Sequence, residues 1–321
     1  MLIRIWGSRG SLPVSLNTAG LQEKLVKALV AASGKGLDTE DKARAFIARE
    51  LDFPVSHTFG GNTSCVELES GASAGEYVIC DMGTGLREFG NHLLDMHGPG
   101  KTHTFHVFMS HMHWDHIMGF PFFAPVYIPG NRIRIYGCHD ALEHAFRRQH
   151  AAPSFPVEYD NLPATIEFVK MKPGRTYDVA GMKVSTMLQA HSGDSYGFRF
   201  EHGGKSVVYS TDSEHKLTDP RETDAFISLF RDADLVIFDA MYSFAETVSV
   251  KEDWGHSSNI VGVELCQMAG VKRLCLFHHE PISDDERIAG IWRETRRLEE
   301  ITRTDAQLEI FAAYDGLEIS I

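Results

Sequence analysis

The chain lacks an apolar run long enough to cross a membrane, a Cys-x-x-Cys pair, and any surplus of basic charge. Its 321 residues include only five cysteines: Cys65, Cys80, Cys138, Cys266 and Cys275. They are scattered and odd in number, and most lie in apolar stretches. This excludes a disulfide framework and reads as reduced, buried thiols, so a cytoplasmic protein is expected. The first residues, Met1-Leu2-Ile3-Arg4-Ile5-Trp6, alternate like a strand and carry no signal-peptide pattern. Lys and Arg number 31 against 44 Asp and Glu, a formal net charge of −13. That balance argues against a large nucleic-acid partner, which needs many cationic side chains against phosphates. A small anionic substrate stays open, because bound divalent ions reverse the local field. Repeats, low-complexity tracts and clear linkers are also missing, so one domain over 1–321 is expected.

What is present is a core-forming composition, with 43% hydrophobic residues. Short β-rich runs recur at 2–6, 64–69, 76–81, 104–109, 132–136, 165–170, 182–190, 196–201, 205–210, 234–238, 272–277 and 307–313, mostly separated by Gly, Asp or Asn. Helical periodicity appears near 18–32, 39–50, 85–96, 140–149, 222–231, 257–269 and 285–301. Early strands follow one another and later ones alternate with helices. The pattern predicts an α+β fold of two packed sheets with helices outside. Two stretches read as insertions, each a candidate lid or subunit contact: a helical, charged one near 16–52 and a Pro-rich one near 147–164.

The decisive stretch is Ser110-His111-Met112-His113-Trp114-Asp115-His116. It follows the apolar residues Phe105, Val107, Phe108 and Met109, as the end of a buried strand would. Side chains two apart on an extended segment share a face, so His111 and His113 can reach one metal ion. Asp115 and His116, past the turn, would face a second. Imidazole and carboxylate suit zinc and its first-row neighbours. Two such ions about 3.5–4 Å apart can activate water and hold a phosphoryl oxygen together.

Further candidates lie at other predicted strand ends. His191 closes the strand that begins near Val184, and Asp212 closes Val207-Val208-Tyr209-Ser210-Thr211. With two oxygens Asp212 could bridge both ions; its alternative role is a turn or cap. Arg273-Leu274-Cys275-Leu276-Phe277 runs into His278-His279. Only one of that pair can face the site, and His278 is preferred over its rival His279. His256 precedes a predicted helix, where it could bind a phosphate oxygen or protonate a leaving group. Asp81, after Val78-Ile79-Cys80, is a buried carboxylate suited to hold a ligand histidine through a hydrogen bond.

Taken in order, Asp81, the 111–116 cluster, His191, Asp212 and His278 resemble the metallo-β-lactamase superfamily from end to end. The branch most similar contains tRNase Z and the phosphoribosyl 1,2-cyclic phosphate phosphodiesterases. Gly60-Gly61-Asn62-Thr63-Ser64-Cys65 and Gly255-His256-Ser257-Ser258 resemble that branch's motifs. Leu235-Val236-Ile237-Phe238-Asp239-Ala240 resembles its His-Glu-Ala-Thr stretch, with Phe238 and Asp239 in place of His and Glu. The resemblance implies a four-layer αββα sandwich with metals at one edge. It implies His111, His113 and His191 on one ion, Asp115, His116 and His278 on the other, and Asp212 between them. It also pairs Asp239 with His256 for the leaving group. The Gly/Pro-rich basic arm that would clamp a tRNA is missing.

The expected activity is a dinuclear metal-dependent hydrolase. Its two divalent ions are expected to be zinc, with Mn, Fe or Ni also suited, and its substrate a small cyclic phosphodiester or nucleotide. Asp115, His256 and Asp239 are the expected catalytic residues. A metal-dependent esterase or lactonase, or a non-catalytic metal-binding sensor, is the alternative. No membrane partner is expected, and homodimers are the commonest soluble assembly.

Overall fold

The computed structural model describes residues 1–69, 71, 75–215, 219–242 and 255–321. Two seven-stranded sheets face one another. The first contains β1 (Leu2–Gly7), β2 (Cys65–Glu69), β3 (Glu76–Cys80), β4 (Thr104–Phe108), β5 (Arg132–Gly137), β6 (Thr165–Lys170) and the late strand Glu318–Ser320, in spatial order 318–320, β1, β2, β3, β4, β5, β6. The second contains β7 (Thr176–Val179), β8 (Met182–Gln189), β9 (Ser195–His202), β10 (Lys205–Ser210), β11 (Leu235–Asp239), β12 (Arg273–Phe277) and β13 (Glu309–Ala312), in the order β13 to β7. The α+β sandwich read from the sequence is the fold observed. The two short edge strands, Thr176–Val179 and Glu318–Ser320, lie outside the predicted runs.

Period-two alternation sorts each strand's side chains between two layers. On β4, Phe108 joins the core between the sheets, while Phe105 and Val107 pack outward. There they meet Leu86, Phe89 and Leu93 on the helix Gly85–His97. On β10, Val207 and Tyr209 point between the sheets, and Val208 meets the helices Pro220–Phe230 and Asn259–Met268. All five cysteines are buried and unpaired. Among the described residues no helix is long and apolar enough to cross a membrane.

The stretch near 16–52 forms α1 (Thr18–Ala32) and α2 (Glu40–Glu50), followed by the single turn Phe53–Ser56. The Pro-rich stretch near 147–164 folds over the first sheet's helical side: His150 is buried, with its ring against Phe120, Phe155 and Tyr159.

Strands β3 to β6 run parallel, as do β10 to β13. Parallel strands end on the same side, so β3, β4, β10, β11 and β12 deliver their following residues to one edge. A frame of backbone bonds holds that edge. Asp81 N–H donates to Phe108 O (3.0 Å), Met82 N–H to His116 O (2.7 Å) and Gly119 N–H to Met82 O (2.8 Å). The backbone N–H groups of Thr63 and Thr84 each donate to the other's hydroxyl oxygen at 2.8 Å. Both oxygens of Asp315 are used, Oδ2 by the N–H groups of Gly61 (3.0 Å) and Asn62 (2.9 Å) and Oδ1 by the Ser8 hydroxyl.

Gly119 is where this frame tolerates no side chain. A Cβ there would strike the Gly83 carbonyl oxygen, with the Gly83 carbonyl carbon at 2.7 Å and Met82 O at 2.9 Å. These are backbone atoms and cannot rotate away. Gly119→Ala should therefore cost about 1–3 kcal/mol through overpacking, read as a lower urea midpoint. An unchanged midpoint would show that the 81–83 and 116–119 segments are not locked together.

Candidate metal centre

The stretch after β4 turns at Ser110 and enters one helical turn, Trp114–Ile117. His111, Asp115 and His116 are buried there. Asp81 anchors the turn: its Oδ1 accepts from Ser110 N–H (2.8 Å), and its Oδ2 accepts from Ser110 Oγ (2.7 Å), His116 Nδ1 (2.7 Å) and Tyr209 OH (2.8 Å). Those bonds offset the cost of burying its charge.

Each histidine's tautomer follows from its partners. His116 spends its Nδ1 proton on Asp81, which leaves Nε2 as its inward-facing nitrogen. His191 gives its Nδ1 proton to Gly255 O at 2.7 Å. His111 gives its own to Ser110 Oγ at 3.0 Å, leaving a buried Nε2 without a hydrogen-bond partner. Three Nε2 atoms therefore face inward, those of His111 and His191 with a lone pair and that of His116 able to offer one once a cation displaces its proton.

The donor atoms form two groups around one carboxylate. On its Oδ2 side, Asp212 lies 3.6 Å from His111 Nε2 and 3.8 Å from His191 Nε2, and His191 Nε2 is 3.1 Å from His113 Nδ1. On its Oδ1 side it lies 3.2 Å from both His116 Nε2 and His278 Nε2, and these two nitrogens are 3.2 Å apart. Asp115 Oδ2 completes that group, 3.3 Å from His116 Nε2 and 3.2 Å from His278 Nε2, and it also accepts from Ser11 N–H at 2.7 Å. In each group, and in a third made of Asp239, His256 and His278, one ligand atom per residue lies within 4.8 Å of the others.

His256 Nδ1 donates to Asp239 Oδ2 at 2.8 Å, and its ring stacks on His278 at 5.1 Å. His279 turns the other way: its Nε2 meets Ala313 O at 2.8 Å. Burial, reinforced by Arg9, pushes its pKa down to about 3.

The electrostatics call for cations. Burial holds His111, His113 and His191 below the usual imidazole range. Burial also opposes ionisation of Asp115 and Asp212, but the surrounding imidazoles, His116 foremost, outweigh it and hold both carboxyls well below their usual range. His116 is the converse case: burial disfavours its charge, yet Asp212, Asp115 and Asp81 raise its pKa. Among the described residues the ion-pair partners of Asp81, Asp115, Asp212 and Asp239 are histidines, not Lys or Arg. Four buried carboxylates, inward lone pairs and an orphaned imidazole nitrogen form a donor set that fits divalent ions.

The site also stores strain. Asp81 (φ 60°), Asp212 (φ 45°) and His278 (φ 61°) all adopt left-handed backbone just past their strand ends. Each costs roughly 1–2 kcal/mol for a residue with a Cβ. All the residues singled out from the sequence (Asp81, His111, His113, Asp115, His116, His191, Asp212, Asp239, His256 and His278) meet at this edge. The sequence reading missed Ser110, Tyr209, the Ser11 N–H and the Gly255 carbonyl. Tyr209 shares β10's inward face with Val207, so alternation could have found it; the two backbone groups leave no such signal.

With this geometry in place, the comparisons with known proteins carry weight. Residues 76–279 match the beta-lactamase superfamily domain, and the chain belongs to that family. Ribonuclease Z from Staphylococcus haemolyticus is 22% identical over 298 residues, covering 75% of this chain and 90% of the relative. The metallo-beta-lactamase fold protein YhfI from Bacillus subtilis superposes with a TM-score of 0.64 at 16% identity, covering 99% of this chain and 98% of that one. A diphosphatase from the PhnP family does so at 0.58 and 17% identity, covering 100% of this chain and 97% of that one. At these identities the two solved structures bear on the fold alone.

Asp81→Asn keeps the size of the side chain and removes the charge that orients His116. It should weaken metal affinity by about 10–100-fold while the chain stays folded, measured by chelator competition alongside circular dichroism. Unaltered affinity would show that Asp81 serves only the fold.

Proposed function

We propose that the chain is a dinuclear metal-dependent phosphodiesterase acting on a small cyclic phosphodiester or nucleotide. At the coarser level it is a metal-dependent hydrolase of its superfamily. The observation that carries the finer reading is the position of Asp212, whose two oxygens each face a separate set of donors. His111, His113 and His191 would hold one ion, Asp115, His116 and His278 the other, with Asp212 shared. The nitrogen and oxygen donors suit zinc first, and also Mn, Fe or Ni. When bound, the pair supplies Lewis acidity toward a phosphoryl oxygen and lowers the pKa of water.

The chain's own groups do the rest. Asp115, fixed by the Ser11 N–H, is held where it can orient the attacking water. Asp239 accepts a hydrogen bond from His256 Nδ1, and against burial its charge raises the pKa of His256 to about 9, so the imidazolium can pass its Nε2 proton to the departing oxygen. Trp114, between His113 and Asp115, is 77% exposed and offers a flat face on which a base can stack. The names ribonuclease and diphosphatase among similar proteins support attack at phosphorus. The net charge of −13 weighs against a long polyanion and for a small one.

The test is a substrate panel: bis-p-nitrophenyl phosphate, cyclic nucleotides and ribose cyclic phosphates against a set of lactones, with and without a chelator. Chelator-sensitive turnover of the diesters is expected; turnover confined to lactones would overturn the reading. His256→Ala should lower kcat by about 10²–10⁴ for an alkoxide leaving group and far less for p-nitrophenolate, which departs without a proton, with metal content unchanged. Equal losses on both would remove His256 from leaving-group catalysis.

A further inference from the structure

α1 is turned inside out. Its sequence, TAGLQEKLVKALVAA, carries an apolar stripe, yet none of its residues is buried. The face toward the protein is built on lysines. Lys24 Nζ donates to His57 O at 2.6 Å and pairs with Asp285 at 2.6 Å, and Lys27 Nζ pairs with Glu286 at 2.9 Å. The face toward solvent is Leu21 (48% exposed), Leu25 (53%), Val26 (54%), Leu29 (72%) and Val30 (71%). Leu21, Leu25 and Leu29 are four apart and line one edge of the helix, with Val26 and Val30 beside them. An amphipathic helix ordinarily does the reverse.

We infer that this face is a self-association surface, on which α1 of a second copy of the chain packs about a two-fold axis. Three observations select that occupant. Five large aliphatic side chains at this exposure form a patch at the upper end of the ~300–600 Å² that monomers show. That is the greater part of the ~800 Å² per partner that a stable dimer buries. Second, residues 16–52 carry six Lys or Arg and six Asp or Glu, a net charge of zero, within a chain of net charge −13. Two copies can therefore meet here without the repulsion their other surfaces impose. Third, a membrane-surface helix keeps its lysines free to meet anionic lipid, whereas Lys24 and Lys27 are spent on Asp285 and Glu286. The inference does not depend on the proposed reaction.

Sedimentation equilibrium of the full chain at micromolar concentration tests it. A mass near twice 35.9 kDa is expected for the wild type. Leu25→Glu with Leu29→Glu should give a monomer with unchanged circular dichroism, because both positions are open to solvent. The five native cysteines are buried, so Val26→Cys adds the one exposed thiol among the described residues and should cross-link the dimer under mild oxidation. A monomeric wild type, or a dimer that survives the double substitution, would overturn the inference. So would flotation of the wild type with phosphatidylserine-containing vesicles, which would reassign the face to a bilayer.

Discussion

The structure depends on one buried carboxylate. Asp212 lies at the end of β10 with histidine nitrogens on both sides and no Lys or Arg side chain paired with it among the described residues. A buried negative charge is costly unless it is compensated. Here the imidazoles give partial compensation: burial pushes His111 and His191 toward neutrality, while Asp212, Asp115 and Asp81 raise the pKa of His116 against burial. The edge is organised around positive charge that the side chains do not fully provide.

This explains why strain collects at the ends of the strands. Left-handed backbone at Asp81, Asp212 and His278 turns each side chain inward just where its strand stops. The sandwich supplies rigidity for it: Tyr209 and Phe108, on opposite sheets, both belong to the core between them, and Tyr209 also bonds Asp81. Packing and site are thus one network, in which the hydroxyl of a core residue fixes the carboxylate that fixes a ligand histidine.

Much of this was legible in the sequence, because the chemistry sits where the periodicity ends. Apolar runs broken by His or Asp at 110–116, 191, 212 and 278 mark both the strand ends and the donors. The choice between His278 and His279 rests on alternation, and the structure sends His279 to Ala313 O. Less legible were features set by distant contacts. The strands at 176–179 and 318–320 are edge strands of four and three residues, too short for alternation to stand out. The Ser11 N–H reaches Asp115 across more than a hundred residues and leaves no trace in composition. Periodicity gives α1 as a helix, but it does not say which face the fold presents; that was decided by acids at 285 and 286, far along the chain.

The most direct test of the two-cation account is anomalous diffraction at the zinc edge, from crystals of the chain grown with zinc and without added chelator. The account predicts two strong peaks per chain, one on each side of Asp212, each touching a different carboxylate oxygen. A single peak, or ions bound away from Asp212, would contradict it.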